Sequence, residues 1–192
     1  MRYGIHLAFA IILLIVYFSV KYLFEPQMQI VAYVSTFGFL SLLLTIFVLT
    51  IPILVRVKNT KVTRYLLSER RWIGIYVFVF AAIHIFLVYN FFFGWDFKKV
   101  LNHPNRLYLS MGTVAFIIFA LMAVTSNNYS VKKLGKNWKR IHLFIYAALA
   151  LIIIHSFNIG LVYLKNIWVK ALILLIVLVI ITVKLFMWKR SK

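Results

Sequence analysis

The sequence has no cysteine and only three acidic side chains among its 192 residues. Without cysteine it can form no disulfide, no iron–sulfur cluster and no thiolate metal site. The three carboxylates are Glu25, Glu69 and Asp96, all of which we place in or beside loops. Paired-carboxylate catalysis and a carboxylate proton relay through a membrane core are therefore excluded. Glycine-rich phosphate loops and recognisable nucleophile motifs are missing as well, so the usual sites of soluble enzymes are absent.

Apolar residues are what the sequence has in excess, at 65% hydrophobic against 13% charged. A soluble domain is about 45–50% apolar and about 25% charged. A chain this apolar could not cover its own surface in water, so its solvent has to be lipid. We predict an all-α integral membrane protein with a single transmembrane domain over residues 1–192.

Six apolar runs are long enough to cross a ~30 Å hydrocarbon core, which takes about 20 helical residues. The predicted six-helix transmembrane bundle consists of residues 5–23, 30–55, 72–93, 107–125, 138–161 and 167–188. No small-residue cleavage site follows the first run, so we interpret it as a membrane helix and not as a signal peptide. Gly38, Gly74 and Gly112 fall within or at the starts of helices, where small residues permit close helix packing.

The net charge of +19 could suggest nucleic acid, but the basic residues lie in short loops between the apolar runs. Six spans divide them into sixteen on one side and six on the other. The larger group is Arg2, the basic residues of Arg56–Arg71 and Lys132–Arg140, Lys184, Lys189, Arg190 and Lys192; the smaller is Lys21, Lys98, Lys99, Arg106, Lys165 and Lys170. The positive-inside rule then predicts cytoplasmic N- and C-termini in a multi-pass plasma-membrane protein. The expected partner of this charge is anionic membrane lipid, with no role for nucleic acid.

Histidine is the one remaining residue type that could carry chemistry inside the membrane. His103 is predicted in a solvated outer loop and His6 at the cytoplasmic interface, whereas His84, His142 and His155 fall within predicted helices. His84 and His155 lie in strongly apolar stretches, where an unpaired imidazole costs free energy. Each therefore needs a partner, and an ordinary interhelical hydrogen bond is one possible answer.

Depth along the helices favours a pairing of His84 with His155. At 1.5 Å per residue, His84 lies about 18 Å from the inner end of its helix and His155 about 25 Å from the inner end of its own. Boundary errors of a few residues cover this difference, so the two imidazoles can meet in the outer half of the membrane. His142, about 6 Å along, stays near the inner face. Facing imidazoles on two helices are the usual axial pair of a b-type haem.

The spacing of His142 and His155 raises a difficulty. Their thirteen-residue separation rises about 20 Å, which suits two redox centres stacked across the membrane. At about 100° per residue, however, the two side chains point about 140° apart around an ideal helix. Either the fifth helix is distorted between them or the two histidines face different neighbours.

Several segments, in order over nearly the whole chain, resemble one family. They are Ile5–Ala8, Glu69–Gly74 with His84 after it, Arg106–Gly112, Thr125-Ser126, Lys133–Tyr146 and Ile154-His155. These segments are similar to the MsrQ (YedZ) branch of haem-binding membrane subunits within the ferric-reductase-like transmembrane family. The most specific part runs from Lys133 to His155.

The resemblance implies a six-helix cytochrome that passes electrons across the membrane, as the electron-transfer haem subunit of an oxidoreductase system. It implies that His84 and His155 ligate one haem and that His142 serves a second, inner haem. The implied cofactor is haem b, one group or two, with FMN or quinone as further candidates. Two-haem relatives carry a second histidine on the third helix, where this chain has Arg70 and Arg71, so the second ligand of an inner haem is open.

The implied partners follow from the same resemblance. Relatives often carry a fused flavin and nicotinamide domain after the last helix, whereas this chain stops at Lys192. The expected donor is therefore a cytoplasmic flavin reductase or the quinone pool, and the expected acceptor an extracytoplasmic molybdenum-dependent methionine sulfoxide reductase. Arg106 is followed by leucine where the family usually has proline, which leaves the acceptor open. Two alternatives stand beside this reading: a direct transmembrane ferric reductase, and a haem-free transporter or scaffold.

Overall fold

The computed structural model describes Tyr3 to Lys189, apart from the side chain of Trp188. Arg2, Arg190 and Lys192, which contribute to the predicted charge asymmetry, lie outside the described residues. The helices in chain order are α1 Tyr3–Leu23, α2 Gln29–Val57, α3 Lys61–Val88, α4 Phe97–Leu101, α5 Arg106–Val124, α6 Asn128–Leu134, α7 Lys136–Leu143, α8 Ile145–Ile159 and α9 Ile167–Lys189. Short 3-10 turns occur at Pro26–Met28 and Tyr163–Lys165, and a π-helical segment, Tyr89–Phe93, extends α3. The regular structure from residue 3 to residue 189 is entirely helical.

Six helical segments are long and apolar enough to cross a membrane. They are Tyr3–Leu23, Pro26–Val57, Lys61–Phe93, Arg106–Val124, Lys136–Ile159 and Ile167–Met187. Many of their large apolar side chains point outward, as lipid contact requires; Leu14 and Leu178, for example, are 57% and 61% exposed. The prediction of an all-α bundle with six membrane-spanning helices is confirmed.

The third helix begins earlier than the hydropathy predicted. Thr60 and Thr63 form a capping box: the Thr60 hydroxyl accepts from the Thr63 backbone N–H at 3.2 Å, and the Thr63 hydroxyl from that of Thr60 at 2.9 Å. Such a cap starts a helix wherever the residues that follow allow one, whether or not they are apolar. The predicted loop from Arg56 to Arg71 is therefore wrong over most of its length. So is the placement of Glu69 in or beside a loop, because that side chain lies within α3 and is only 8% exposed.

The fifth span is not one continuous helix. It breaks at Phe144, whose backbone N–H donates to the Ile141 carbonyl at 3.1 Å, three residues back instead of four. One tighter step of this kind rotates the chain that follows relative to the chain before it. The predicted span over 138–161 is present as Lys136–Ile159, with a local distortion between His142 and His155. A distortion was one of the two outcomes that their spacing allowed.

The bundle is organised around two antiparallel helix pairs, α2 with α3 and α5 with α8, which meet through contacts of α3 with α5 and of α2 with α8. On α2, Leu42 and Leu49 are almost fully buried, and the Ser41 hydroxyl donates to the Val77 carbonyl of α3 at 3.1 Å. α1 packs on α3, where Phe9 stacks on Tyr76 with ring centroids 3.6 Å apart. α9 packs along α2. This arrangement fixes how α3 and α8 face each other.

The orientation of the bundle in the membrane stays a prediction. A phosphatase fused after Lys192 is expected to be inactive, and a fluorescent protein fused there to be bright, because the basic side of the chain should remain in the cytoplasm. The same reporters inserted beside Pro104, between α4 and α5, should give the opposite pair of signals. An active phosphatase after Lys192 would mean that the charge asymmetry has been assigned to the wrong side.

Candidate functional site

His84 is held by the helix that runs antiparallel to its own. Its Nδ1 lies 2.8 Å from the backbone carbonyl oxygen of Val34 on α2. The ring also lies against Gly38, where a Cβ would stand only 2.9 Å from Nδ1 and 3.0 Å from Cε1. A carbonyl can only accept, so Nδ1 carries the proton. The lone pair of a neutral imidazole is then on Nε2, the nitrogen that a metal would take.

His155 is held in the same way by a different helix. Its Nδ1 lies 2.8 Å from the carbonyl oxygen of Tyr108 on α5. The ring lies against Gly112, where a Cβ would stand 2.7 Å from Nδ1 and 2.8 Å from Cε1. Here too Nδ1 donates and Nε2 keeps its lone pair. Among the residues that the structure describes, neither histidine makes a hydrogen bond through Nε2.

The two imidazoles come together between α3 and α8. Their ring centroids are 6.2 Å apart and their planes are inclined at 87°. The prediction that His84 and His155 meet at one level is thereby confirmed. A metal–imidazole bond is roughly 2.0–2.1 Å and a ring centre lies about 1.1 Å from its nitrogen, so two imidazoles on opposite sides of one ion have centres roughly 6.2–6.4 Å apart. The observed separation fits that arrangement.

His142 occupies a separate position, at the end of α7. It stacks on Trp138 with ring centroids 4.0 Å apart, and its Nε2 lies 3.3 Å from the Thr125 hydroxyl at the end of α5. The Trp138 indole N–H donates to the Thr125 carbonyl at 2.9 Å. Because of the break at Phe144, His142 and His155 both contact α5 despite their thirteen-residue spacing. His142 thus belongs to a second site, which it does not share with the other pair.

The charged residues near that second site are partly engaged with other helices. Arg71 on α3 donates to the side-chain oxygen of Asn128 at the start of α6, at 2.7 Å. Lys184 on α9 donates to the Tyr146 hydroxyl at the start of α8, at 2.5 Å. The first bond joins α3 to α6 and the second joins α9 to α8, both near the end of the bundle where α7 lies. Arg71 and Lys184 therefore have a structural role at this end of the bundle, as hydrogen-bond donors between helices.

The other two histidines have structural partners. His6 on α1 hydrogen-bonds through Nδ1 to the Tyr76 hydroxyl at 2.8 Å and meets Trp72 edge-on, so it joins α1 to α3. His103 lies in the connection before α5, where its Nδ1 accepts from the Asn105 backbone N–H at 3.1 Å. Neither lies with the facing pair.

An interhelical hydrogen bond to Ser, Thr or a backbone carbonyl was one predicted possibility for His84 and His155, but the sequence did not indicate which carbonyls they contact. Gly38 and Gly112 were interpreted as helix-packing residues, whereas each of them contacts a histidine ring. Close packing at Gly74 is not found, because a Cβ there would meet nothing within 4 Å. The sequence feature that could have indicated these contacts is a glycine on each of the two helices that run antiparallel to the histidine-bearing helices, Gly38 on α2 and Gly112 on α5. Its meaning depended on the register between those helices.

Comparison with known proteins connects this architecture to a family. The model of the family described as ferric reductase like transmembrane component matches residues 35–153, more than half of the chain. The chain belongs to this family. The matched region contains His84 and His142 and ends two residues before His155.

A curated relative is similar to part of the chain. The chain is 36% identical over 87 residues to the protein-methionine-sulfoxide reductase heme-binding subunit MsrQ of Pasteurella multocida (strain Pm70). The alignment covers 45% of this chain and 42% of the relative, so the chain matches less than half of that protein's length. No solved structure matches.

Proposed function

We propose that this chain is a membrane-embedded electron-transfer subunit that holds haem b between His84 and His155. The observation that carries the proposal is the 6.2 Å separation of two imidazoles whose Nδ1 atoms are both bonded to backbone carbonyls. Both Nε2 atoms are then left without a hydrogen bond to a described residue, and His84 and His155 would hold the iron of one haem between them. The printed name of the curated relative, a heme-binding subunit, supports the same cofactor.

The donor set favours haem over a bare metal ion. Within residues 3–189, no group of three or more His, Asp or Glu side chains could hold a metal ion, and the sequence has no cysteine. Protein sites for bare transition metals generally supply three or four ligands. A pair of imidazoles is enough only when the cofactor brings the other ligands, as a porphyrin does. When bound, such a group supplies one-electron transfer at that level of the membrane.

A haem-free transporter or scaffold explains less of the geometry. Interhelical hydrogen bonding accounts for the Nδ1 contacts of the two histidines. It gives no reason for the two rings to lie with their centroids 6.2 Å apart while the second nitrogen of each makes no hydrogen bond to a described residue. Haem binding by His84 and His155 would use both of these nitrogens.

His142 is the proposed ligand of a second, inner haem. Its stacking on Trp138 and its contact with Thr125 fix the ring at the end of α7. No second histidine stands opposite it among the described residues, so a second ligand would have to be a group of another type. FMN or quinone is a further candidate cofactor in the proposal. Arg70, Arg71 and Lys139 are interpreted first as surface charge that snorkels to the interface, and pairing with haem propionates is the alternative.

The proposed donor is a cytoplasmic flavin reductase or the quinone pool, and the proposed membrane is the plasma membrane. The proposed acceptor is an extracytoplasmic methionine sulfoxide reductase, which the name of the relative supports. A second candidate acceptor is ferric iron itself, because the matching family is described as ferric reductase like.

Donor and acceptor are tested on purified protein in lipid vesicles or detergent. We expect the haem to be reduced within seconds by a soluble flavin reductase with its nicotinamide donor, and to be reoxidised only slowly by ferric chelates. Protein treated in parallel with quinol shows whether the second route operates. If only quinol reduced the haem, the donor would be the quinone pool and not a flavin reductase. Rapid turnover with ferric chelates would favour direct reduction of ferric iron.

A further inference from the structure

One local arrangement occurs twice in the bundle. On α2 the Val34 carbonyl bonds His84, and Gly38 follows Val34 by four residues. On α5 the Tyr108 carbonyl bonds His155, and Gly112 follows Tyr108 by four residues. In both cases the histidine belongs to the antiparallel neighbour, α3 for the first and α8 for the second. Each glycine lies against the imidazole ring whose Nδ1 is hydrogen-bonded to a carbonyl of the same helix as the glycine.

The four-residue spacing has a direct physical meaning. In an α-helix the carbonyl of residue i accepts from the N–H of residue i+4. The side chain of residue i+4 points back over the preceding turn and so covers that carbonyl from outside. A glycine at i+4 leaves the oxygen open, and its second lone pair can then accept from an external donor. Val34 and Tyr108 offer their carbonyls to the imidazoles because Gly38 and Gly112 lack a Cβ.

We propose that Gly38 and Gly112 are positioning residues that set the orientation, tautomer and donor strength of the two haem ligands. The inference rests on the proposed function. Each glycine admits one imidazole to one helix carbonyl, and the two carbonyls together hold the rings nearly perpendicular, at 87°. An Nδ1–H bond to a carbonyl makes the imidazole a stronger base and fixes its orientation. The paired glycines therefore stabilise the ferric state and keep the reduction potential low.

A purely structural role makes a different prediction. If these glycines served only helix packing, adding a methyl group would separate the helices or change stability without any specific effect on the iron. Alanine is a better helix former than glycine, so the substitution does not weaken either helix by itself. The methyl group would instead stand 2.9 Å from Nδ1 of His84 or 2.7 Å from Nδ1 of His155, so the ring has to move.

The test compares Gly38→Ala and Gly112→Ala with Gly74→Ala, a matched change in α3 where the new Cβ meets nothing within 4 Å. Displacing a ring should lengthen its 2.8 Å bond beyond hydrogen-bonding distance. We expect haem affinity to fall about 10–100-fold, as it does when the outer partner of a ligand is lost. The midpoint potential should rise by about 59 mV for each tenfold loss of preference for the ferric state. Gly74→Ala should retain the wild-type outer-site affinity and potential.

Electron paramagnetic resonance of the ferric protein gives an independent readout. Perpendicular imidazole planes produce the strongly anisotropic low-spin signal with a large maximum g value, whereas more parallel planes produce a rhombic signal. We expect the wild type and Gly74→Ala to give the first type, and the other two variants to shift towards the second. Wild-type spectra and potentials in both Gly38→Ala and Gly112→Ala would overturn the inference while leaving the haem proposal intact. A wild-type protein without low-spin haem would instead overturn the proposed function.

A cavity variant covers the case in which Gly38→Ala does not fold. In His84→Gly, added imidazole can ligate the iron and still donate an N–H to Val34, whereas 1-methylimidazole can ligate but has no N–H to donate. We expect imidazole to bind at least about tenfold more tightly than 1-methylimidazole, the minimum effect of an outer hydrogen bond. Equal affinity for the two would contradict the role assigned to the exposed carbonyl.

Discussion

Replacing His84 or His155 with alanine is expected to remove most of the haem at the outer site and to abolish electron transfer to the outer face. In the proposed site each histidine would supply one of the two protein nitrogens that hold the iron, so its loss should weaken haem binding and open the pocket. The lost imidazole also leaves the Val34 or Tyr108 carbonyl with only its helical partner. Haem affinity should fall by more than the roughly 10–100-fold seen when only an outer hydrogen bond is removed. The measurement is the low-spin reduced α-band per mole of purified protein.

His103→Ala is the matched control for these two variants. That imidazole accepts a single hydrogen bond from Asn105 in the connection before α5, away from the facing pair. The control should keep the wild-type haem content and spectrum. If His84→Ala alone kept full haem content and a low-spin spectrum, the proposed pairing with His155 would be wrong.

His142→Ala is expected to behave differently from both. Thirteen residues separate His142 from His155, a rise of about 20 Å along a helix, so the outer low-spin spectrum should survive. Reduction from the cytoplasmic side should slow at least about tenfold, because the substitution removes the proposed ligand of the inner centre. The fold should tolerate the change, since an aromatic stack of this kind contributes about 0.5–1.5 kcal/mol and the 3.3 Å contact with Thr125 is long. Stopped-flow reduction by the flavin reductase measures the rate.

His6→Ala provides the control for that variant. It removes a histidine that joins α1 to α3 through the Tyr76 hydroxyl, without touching Trp138 or Thr125. Its reduction rate should stay close to that of the wild type. Equal loss of one spectral component in the His84, His142 and His155 variants would point to a single shared site or to general misfolding.

The six spans could be predicted from the sequence because the bilayer itself imposes them. Apolar runs of about 20 residues have few alternatives when every backbone group must be hydrogen-bonded within its own helix. The start of α3 escaped that logic. Its first residues are helical from the Thr60–Thr63 cap onward, although they precede the apolar run. Hydropathy therefore marked where the apolar run begins and not where the helix begins. Glu69 was misplaced for the same reason.

The meeting of His84 and His155 could also be predicted, since helical rise fixes depth to within a few residues. Their partners could not. The Val34 and Tyr108 carbonyls are contacted only because of the rotation and register of one helix against another, which arise from packing across the bundle. A distortion of the fifth helix was one alternative that the histidine spacing raised, but its position at Phe144 could not be predicted, since the sequence has neither glycine nor proline there.

Haem content per chain tests the central claim most directly. A pyridine haemochrome assay on wild-type protein, expressed with added haem and purified beside His84→Ala and His155→Ala, gives the number of haem b groups in each. We predict one or two groups in the wild type, with the sharp reduced α-band of six-coordinate low-spin iron, and about one fewer in either variant. A colourless wild-type protein, or the same haem content in all three, would contradict the assignment of this pair as haem ligands.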